Sequence, residues 1–220
     1  MLPKLDGIYD VKTIRQLLEL GVKRFSFDMR PQSLNFVQHY RVLDIVSEIG
    51  IGGEKVFCFH FGNEFPMLVE KFIADLNERL STTSTQWDQG HLQLEFSGRD
   101  DFDKMDQFCV PYRWHFYKGF NWSEASSAKN LTGLILPFYF LEDCLEEGSL
   151  HSLCMNLHTT FAHCRFHLSH DWGSNVFPTL SELFDFDDVA LPIDPNVEVC
   201  FRNVDQVKLS QGLRPFLSSR

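Results

Sequence analysis

Phe25-Ser26-Phe27-Asp28-Met29-Arg30-Pro31-Gln32-Ser33-Leu34-Asn35-Phe36-Val37 is the stretch whose reading decides the fold. Its first half alternates, with Phe25, Phe27 and Met29 on one face of a strand and Ser26 and Asp28 on the other. Arg30-Pro31 breaks the strand and opens a loop, and a helical pattern follows from about Gln38. A strand whose polar face ends in a carboxylate, then a loop, then a helix, is the repeating unit of an α/β protein.

The unit recurs on both sides of this stretch. Lys4 to Ile8 reads as the first strand, and Val11 to Leu20 as a helix with Asp10 as N-cap and Gly21 as stop. Gln38 to Ile49 forms the second helix, Lys55 to Phe61 the third strand and Glu64 to Leu80 the third helix. The run Ser81-Thr82-Thr83-Ser84-Thr85 reads as a surface connection, because the rhythm resumes after it with a fourth strand, His91 to Phe96. A short acidic helix is expected over Asp101 to Phe108, a fifth strand over Tyr112 to Tyr117, and only weak periodicity from Lys118 to Lys129. Leu131 to Phe138 is almost wholly apolar, as a strand covered on both faces should be, and Leu141 to Phe161 is helical in character. His163 to Ser169 is the seventh strand, Pro178 to Phe184 a short helix, Val197 to Arg202 the eighth strand and Val204 to Leu213 a closing helix. Asp185, Asp187 and Asp188 beside Phe184 and Phe186 read as a solvated turn. Eight strands alternating with helices in 220 residues favour a closed (β/α)8 barrel, one domain over residues 1–220, rather than an open sheet.

Composition narrows the function classes. A net charge of −10 argues against a general affinity for nucleic acid or anionic membrane. The N-terminus lacks a basic-then-apolar signal pattern, and no apolar run approaches membrane-spanning length. The six cysteines, without CxxC pairs, fit free thiols in a reducing cytoplasm. The 22 phenylalanines call for a core of large flat side chains.

Facing the apolar residues of each strand toward the helices turns a polar set inward: Lys4 and Asp6, Ser26 and Asp28, Cys58 and His60, Gln93 and Glu95, Arg113 and His115, Arg165 and His167, Glu198 and Arg202. The acids nearly balance the bases, which a low-dielectric interior requires. Asp6, Asp28, His60, Glu95, His115, His167 and Arg202 are expected at the C-terminal ends of the strands, where such barrels place their sites. Acids beside imidazoles there are candidates for proton transfer or ligand binding, or alternatively form a hydrogen-bonded structural network. His167 and His170 with Asp6, Asp28 or His60 could draw a metal, but no HxH or HExxH motif supports one, so hydrogen bonding is the favoured reading and no metal or cofactor is expected.

With the first two strands placed, a resemblance emerges. Lys4-Leu5-Asp6-Gly7-Ile8, followed by Ser26-Phe27-Asp28-Met29-Arg30-Pro31-Gln32-Ser33-Leu34-Asn35-Phe36-Val37, resembles phosphoribosylanthranilate isomerase, whose pattern is about K-I-C-G-I and then G-F-x-F-x-P-x-S-x-R-x-V. Gln93-Leu94-Glu95 is similar to that family's Q-L-H, with Gly98 and Asp100 near its G-D-E. The resemblance is tight over the first fifty residues and faint after the fourth strand, and it implies the eight-stranded barrel independently. It also exposes departures. Asp6 stands where the family has its catalytic cysteine, Pro137 near its catalytic aspartate, and Asn35 at its substrate arginine. In place of the glycine-rich phosphate cradles stand His167-Leu168-Ser169-His170 and Cys200-Phe201-Arg202-Asn203.

Two functions are compatible with this. The first is a divergent barrel that has lost the parental reaction and serves as a binding or interaction module, holding a small anionic ligand or a protein partner through Asp28, His60, Gln93, His115, His167 and Arg202. The second is an active enzyme, an isomerase or a related sugar-phosphate or metal-dependent enzyme, with Asp6 as general base and Glu95 or a histidine as the acid.

Overall fold

The computed structural model describes residues 1–80, 87, 89–98, 102–174 and 176–217, so the connection expected at residues 81–85 lies outside the described residues. Strands β1 (Leu2–Asp6), β2 (Arg24–Asp28), β3 (Val56–Phe61), β4 (Leu92–Phe96), β5 (Tyr112–His115), β6 (Leu131–Pro137), β7 (Arg165–Ser169) and β8 (Phe186–Pro192) form a closed parallel barrel. Closure is made by β1, which pairs with β2 through Asp6↔Ser26 on one edge and with β8 through Lys4↔Ala190 on the other. Around the barrel lie α1 (Val11–Glu19), α2 (His39–Ile49), α3 (Pro66–Leu80), α4 (Phe102–Asp106), α5 (Trp122–Ser126), α6 (Phe138–Glu146), α7 (Leu150–Thr160), α8 (Phe177–Leu183) and α9 (Gln206–Leu217).

Local signals set these bounds. Asp10 accepts a hydrogen bond from the Thr13 amide at 2.7 Å and so caps α1. The single helix expected from Leu141 to Phe161 is instead two, α6 and α7. Gly148 sits between them at φ 71°, a conformation that costs a glycine little and ends a helix readily.

Strand parity holds for the barrel residues, and it sorts the aromatics outward. Phe25, Phe27, Phe57, Phe59, Phe61, Phe96, Tyr112 and Trp114 are all buried between the sheet and the helices. Phe59 lies 4.8 Å from Phe72 of α3 and 6.0 Å from Phe27, centroid to centroid. The core is therefore a cylindrical aromatic shell outside the sheet.

The eighth strand is the main correction. Val197–Arg202 alternates like a strand, but Val199 and Phe201 are largely exposed, and the segment forms a small antiparallel hairpin, β9 (Glu198–Cys200) with β10 (Asn203–Val204). Cys200 is exposed with it. The barrel is closed by Phe186–Pro192, whose Val189-Ala190-Leu191 run is buried. Asp188, expected in a solvated turn, is completely buried in the lumen. Glu198 and Arg202 consequently do not line the barrel.

The lumen is filled by ions where branched aliphatics are usual. Lys4 Nζ donates to Glu95 Oε1 at 2.6 Å, with both side chains fully buried. Below them Arg113 donates to Asp188 Oδ2 at 3.0 Å and lies 3.6 Å from Glu95 Oε1. Arg24 donates to both Asp188 and Asp187 at 2.6 and 2.7 Å, and His167 Nδ1 lies 3.0 Å from Asp188 Oδ1. Removing one member of a buried pair leaves an uncompensated charge and costs about 3–5 kcal/mol, whereas replacing both with apolar groups of similar size is far milder. Urea unfolding of Lys4→Met, Glu95→Leu and the double variant should therefore show strong coupling, the double variant losing clearly less stability than the two single losses summed. Additive losses would contradict a pair that compensates itself.

Candidate functional site

At the C-terminal end of the barrel, Asp6, Gly7, Ser26, Asp28, Arg30, Asn35, His60, His115, Ser169 and Pro192 line an open cavity of about 290 Å³. The βα unit that opened the sequence supplies four of these, Ser26, Asp28, Arg30 and Asn35. Asp28, the last residue of β2, accepts from Arg30 Nε at 2.8 Å, Arg30 Nη2 at 2.5 Å and the Arg30 amide at 3.1 Å, so the loop folds back onto its own carboxylate. Asn35 donates to the Ile193 carbonyl at 2.6 Å, tying the loop after β2 to the segment after β8. At the position where the resemblance puts a substrate arginine, this chain has a tether between loops.

Asp6 is the floor of the cavity. Its side chain is 25% exposed, and Lys4 Nζ lies 3.1 Å from Oδ1 in a charge contact without hydrogen-bond alignment. Burial pushes the Asp6 carboxyl up to about 6, against the opposing pull of Lys4. Glu95 lies one step deeper. Burial alone would raise its pKa, but Lys4, Arg113 and His115 outweigh it and bring the carboxyl down to about 2. Lys4 is held charged in turn, because Asp6 and Glu95 outweigh the effect of burial. Of the two carboxyls flanking one ammonium, the enclosed one is thus held down by its charged neighbours and the one facing the cavity is raised by burial. The sign for stability follows. The Asp6 pKa is raised by folding, so its contribution favours the fold below about pH 4 and is lost as pH rises through about 6. The Glu95 contribution runs the other way, present above about pH 4.5 and lost as pH falls toward 2.

Across the cavity, His60 and His115 stack face to face, with ring centroids 4.1 Å apart and planes 6° from parallel. His60 Nε2 is 2.9 Å from Ser97 Oγ, and His115 Nε2 is 3.9 Å from Glu95 Oε2 without a hydrogen bond. Burial, joined by neighbouring positive charge, holds both rings neutral: His115 falls to about 3 and His60 lies well below its ordinary value.

The site expected from sequence is thus split by depth. Asp6, Asp28, His60 and His115 meet at the mouth. Glu95 sits beneath them, fully enclosed. Gln93 and His167 point inward but line a separate cavity of about 370 Å³ at the opposite, N-terminal end, with Arg24, Arg113, Arg165 and Asp187. Arg202 is outside the lumen, donating to the Phe36 carbonyl at 2.6 Å and lying over the Tyr9 ring. His170, paired with His167 in the metal alternative, instead stacks on Phe138 and accepts from the Asp171 amide. Arg30, Ser97 and Ser169 carry no site signal in the sequence, and Asp188 reads there only as part of a turn. Arg30 and Ser97 lie just past strand ends, where alternation gives no signal.

Among the described residues, two groups bring metal-ligating atoms within 4.8 Å of one another: His60, Glu95 and His115, and His167, Asp187 and Asp188. Neither suits an ion as arranged. A metal bound by two imidazoles must lie in the plane of each ring, and the nearly parallel planes of His60 and His115 do not meet at one point. The second group already neutralises the guanidiniums of Arg24, Arg113 and Arg165, so an added cation would face three positive charges.

No family model and no curated protein matches the sequence. Solved structures do match along the whole chain. Phosphoribosylanthranilate isomerase from Thermotoga maritima superposes with a TM-score of 0.67 at 13% identity, covering 99% of this chain and 100% of that one. The enzyme from Thermus thermophilus gives 0.62 at 16%, covering 100% and 99%. A phosphoribosylanthranilate isomerase in complex with reduced 1-(o-carboxyphenylamino)-1-deoxyribulose 5-phosphate gives 0.66 at 14%, covering 99% and 100%. At these identities the likeness is one of fold. In fold, then, the chain is a phosphoribosylanthranilate isomerase-like (β/α)8 barrel.

Proposed function

We propose that this barrel has lost the parental isomerisation and binds a small polar molecule in its C-terminal mouth. The observation that carries the reading is the open cavity of about 290 Å³, lined by Asp6, Asp28, His60 and His115 and seated on the compensated ions Lys4 and Glu95. Its volume lies at the small end of ligand pockets, which run from about 300 to 1,000 Å³. Loss of the isomerisation is supported by Pro137 ending β6, which carries no titratable group, and by the commitment of Asn35 to a backbone carbonyl. A reducing cytoplasm as the compartment is supported by six cysteines that form no disulfide.

A second reading has its own observation. The Asp6 carboxyl, near 6 and facing the cavity, is poised to take a proton from a bound molecule as a general base. In that reading Glu95 holds Lys4 in place as counter-ion, since a carboxyl kept near 2 has no proton to donate at neutral pH.

The chain is expected not to restore growth to a tryptophan auxotroph lacking phosphoribosylanthranilate isomerase, even when expressed in soluble form. Thermal unfolding against mixtures of small metabolites is expected to give stabilised wild-type protein with at least one compound, an effect abolished by Asp6→Asn. Restored growth would defeat the claim of lost isomerisation. Stabilisation that survives Asp6→Asn together with His115→Gln would place the ligand elsewhere.

A further inference from the structure

The loops after β7 and β8 are where barrels of this class commonly hold a phosphate, on backbone amides and the start of a short helix. In this chain those amides are already occupied by its own carboxylates. The Asp171 side chain accepts from the Gly173 and Ser174 amides at 3.0 and 2.7 Å. The Ser174 hydroxyl donates to Glu142 at 2.9 Å and accepts from the Val176 amide at 3.3 Å. After β8, Asp194 accepts from the Asn196 amide at 2.8 Å, and its carbonyl accepts from Val197 at 3.0 Å. At the start of α9, Asp205 accepts from the Val207 and Lys208 amides at 3.0 and 3.2 Å. Between the two loops Trp172 donates to the Pro192 carbonyl at 2.7 Å and packs against Gly212, where an added Cβ would come within 2.7 Å of its ring.

An anion arriving there would have to displace carboxylates from their donors and then remain beside them. Among the described residues, the charged groups that make these loop contacts are Glu142, Asp171, Asp194, Glu198 and Asp205 against Arg202 and Lys208. Arg202 is committed to the Phe36 carbonyl, and Lys208 Nζ lies 3.4 Å from the Glu198 carbonyl. The mouth cavity has the same sign. Its lining cation, Arg30, is held in a fork by Asp28, while the Asp6 side chain stays 25% exposed. Beneath them the Lys4 ammonium lies between two carboxylates. The mouth therefore offers the exposed part of the Asp6 carboxyl while its guanidinium is already paired, which suits a protonated amine and opposes a phosphate.

Resting on the reading of the mouth as a ligand site, we infer that the molecule it selects carries an amino group and no phosphate, so that the amine meets Asp6 while Asp171 and Asp194 exclude phosphate esters. The loops that would recognise a phosphate have been converted into a filter against it.

Three matched probes test this: glucosamine, glucosamine 6-phosphate and glucose, with inorganic phosphate as a fourth. Binding is read by NMR from the imidazole signals of His60 and His115 and from the amides of Gly173, Ser174 and Asn196, at constant ionic strength. Glucosamine is expected to shift the two imidazoles saturably, with glucose and glucosamine 6-phosphate each weaker by about tenfold or more. Asp171→Asn with Asp194→Asn is expected to narrow the gap between glucosamine and its phosphate ester. Should that variant not fold, the wild-type ranking decides alone. Glucosamine 6-phosphate or inorganic phosphate binding as well as glucosamine, with shifts at Gly173 and Ser174, would overturn the inference and leave the mouth as a ligand site. No imidazole shift with any probe would overturn the inference and the ligand-site reading together.

Discussion

The buried contact between Lys4 and Glu95, 2.6 Å long and closed to solvent, is the constraint on which the rest of this barrel depends. An ammonium and a carboxylate in the centre of a protein are tolerable only with further partners. Asp6 above, Arg113 beside and Asp188 below supply them, and Arg24, Asp187 and His167 continue the ladder to the N-terminal end. The aromatic shell outside the sheet makes this possible. With Phe25, Phe27, Phe57, Phe59 and Phe96 providing the apolar burial, the lumen is free to carry charge.

The ladder also sets the chemistry of the mouth. Lys4 is shared between two carboxyls in different settings, one enclosed and bound at 2.6 Å, the other facing a cavity. The enclosed one is ionised throughout the ordinary pH range, and the facing one is left to titrate near neutrality. The stacked imidazoles opposite stay neutral because protonating either would bury a further positive charge. A structural network and a reactive surface are thus two ends of one set of side chains, so the choice between them that the sequence left open was one of depth.

Much of the barrel was legible because strand alternation survives where one face is uniformly apolar. Phe25/Phe27 against Ser26/Asp28, and Phe57/Phe59 against Cys58/His60, fix parity without ambiguity. The eighth strand was not legible, for a physical reason. Val197–Arg202 alternates without a buried face, whereas Asp187-Asp188 precedes a short apolar run and has the composition of a turn. Only the partners Arg24, Arg113 and His167, brought by other strands, make a buried aspartate there tolerable. Depth along the lumen was likewise hidden. Glu95 and His115 lie on successive strands, yet one is enclosed and the other opens to the cavity, because strand stagger in a barrel sets height independently of parity.

The division of roles within the lumen turns on the ionisation of Asp6. A carbon-detected NMR titration of its carboxyl, in the full chain, measures this directly. A midpoint near 6, falling when Glu95→Gln removes the neighbouring negative charge, is expected. A midpoint below about 4, in the range of an ordinary aspartate, would mean that Lys4 belongs to Asp6 as fully as to Glu95, and would contradict the division of roles described above.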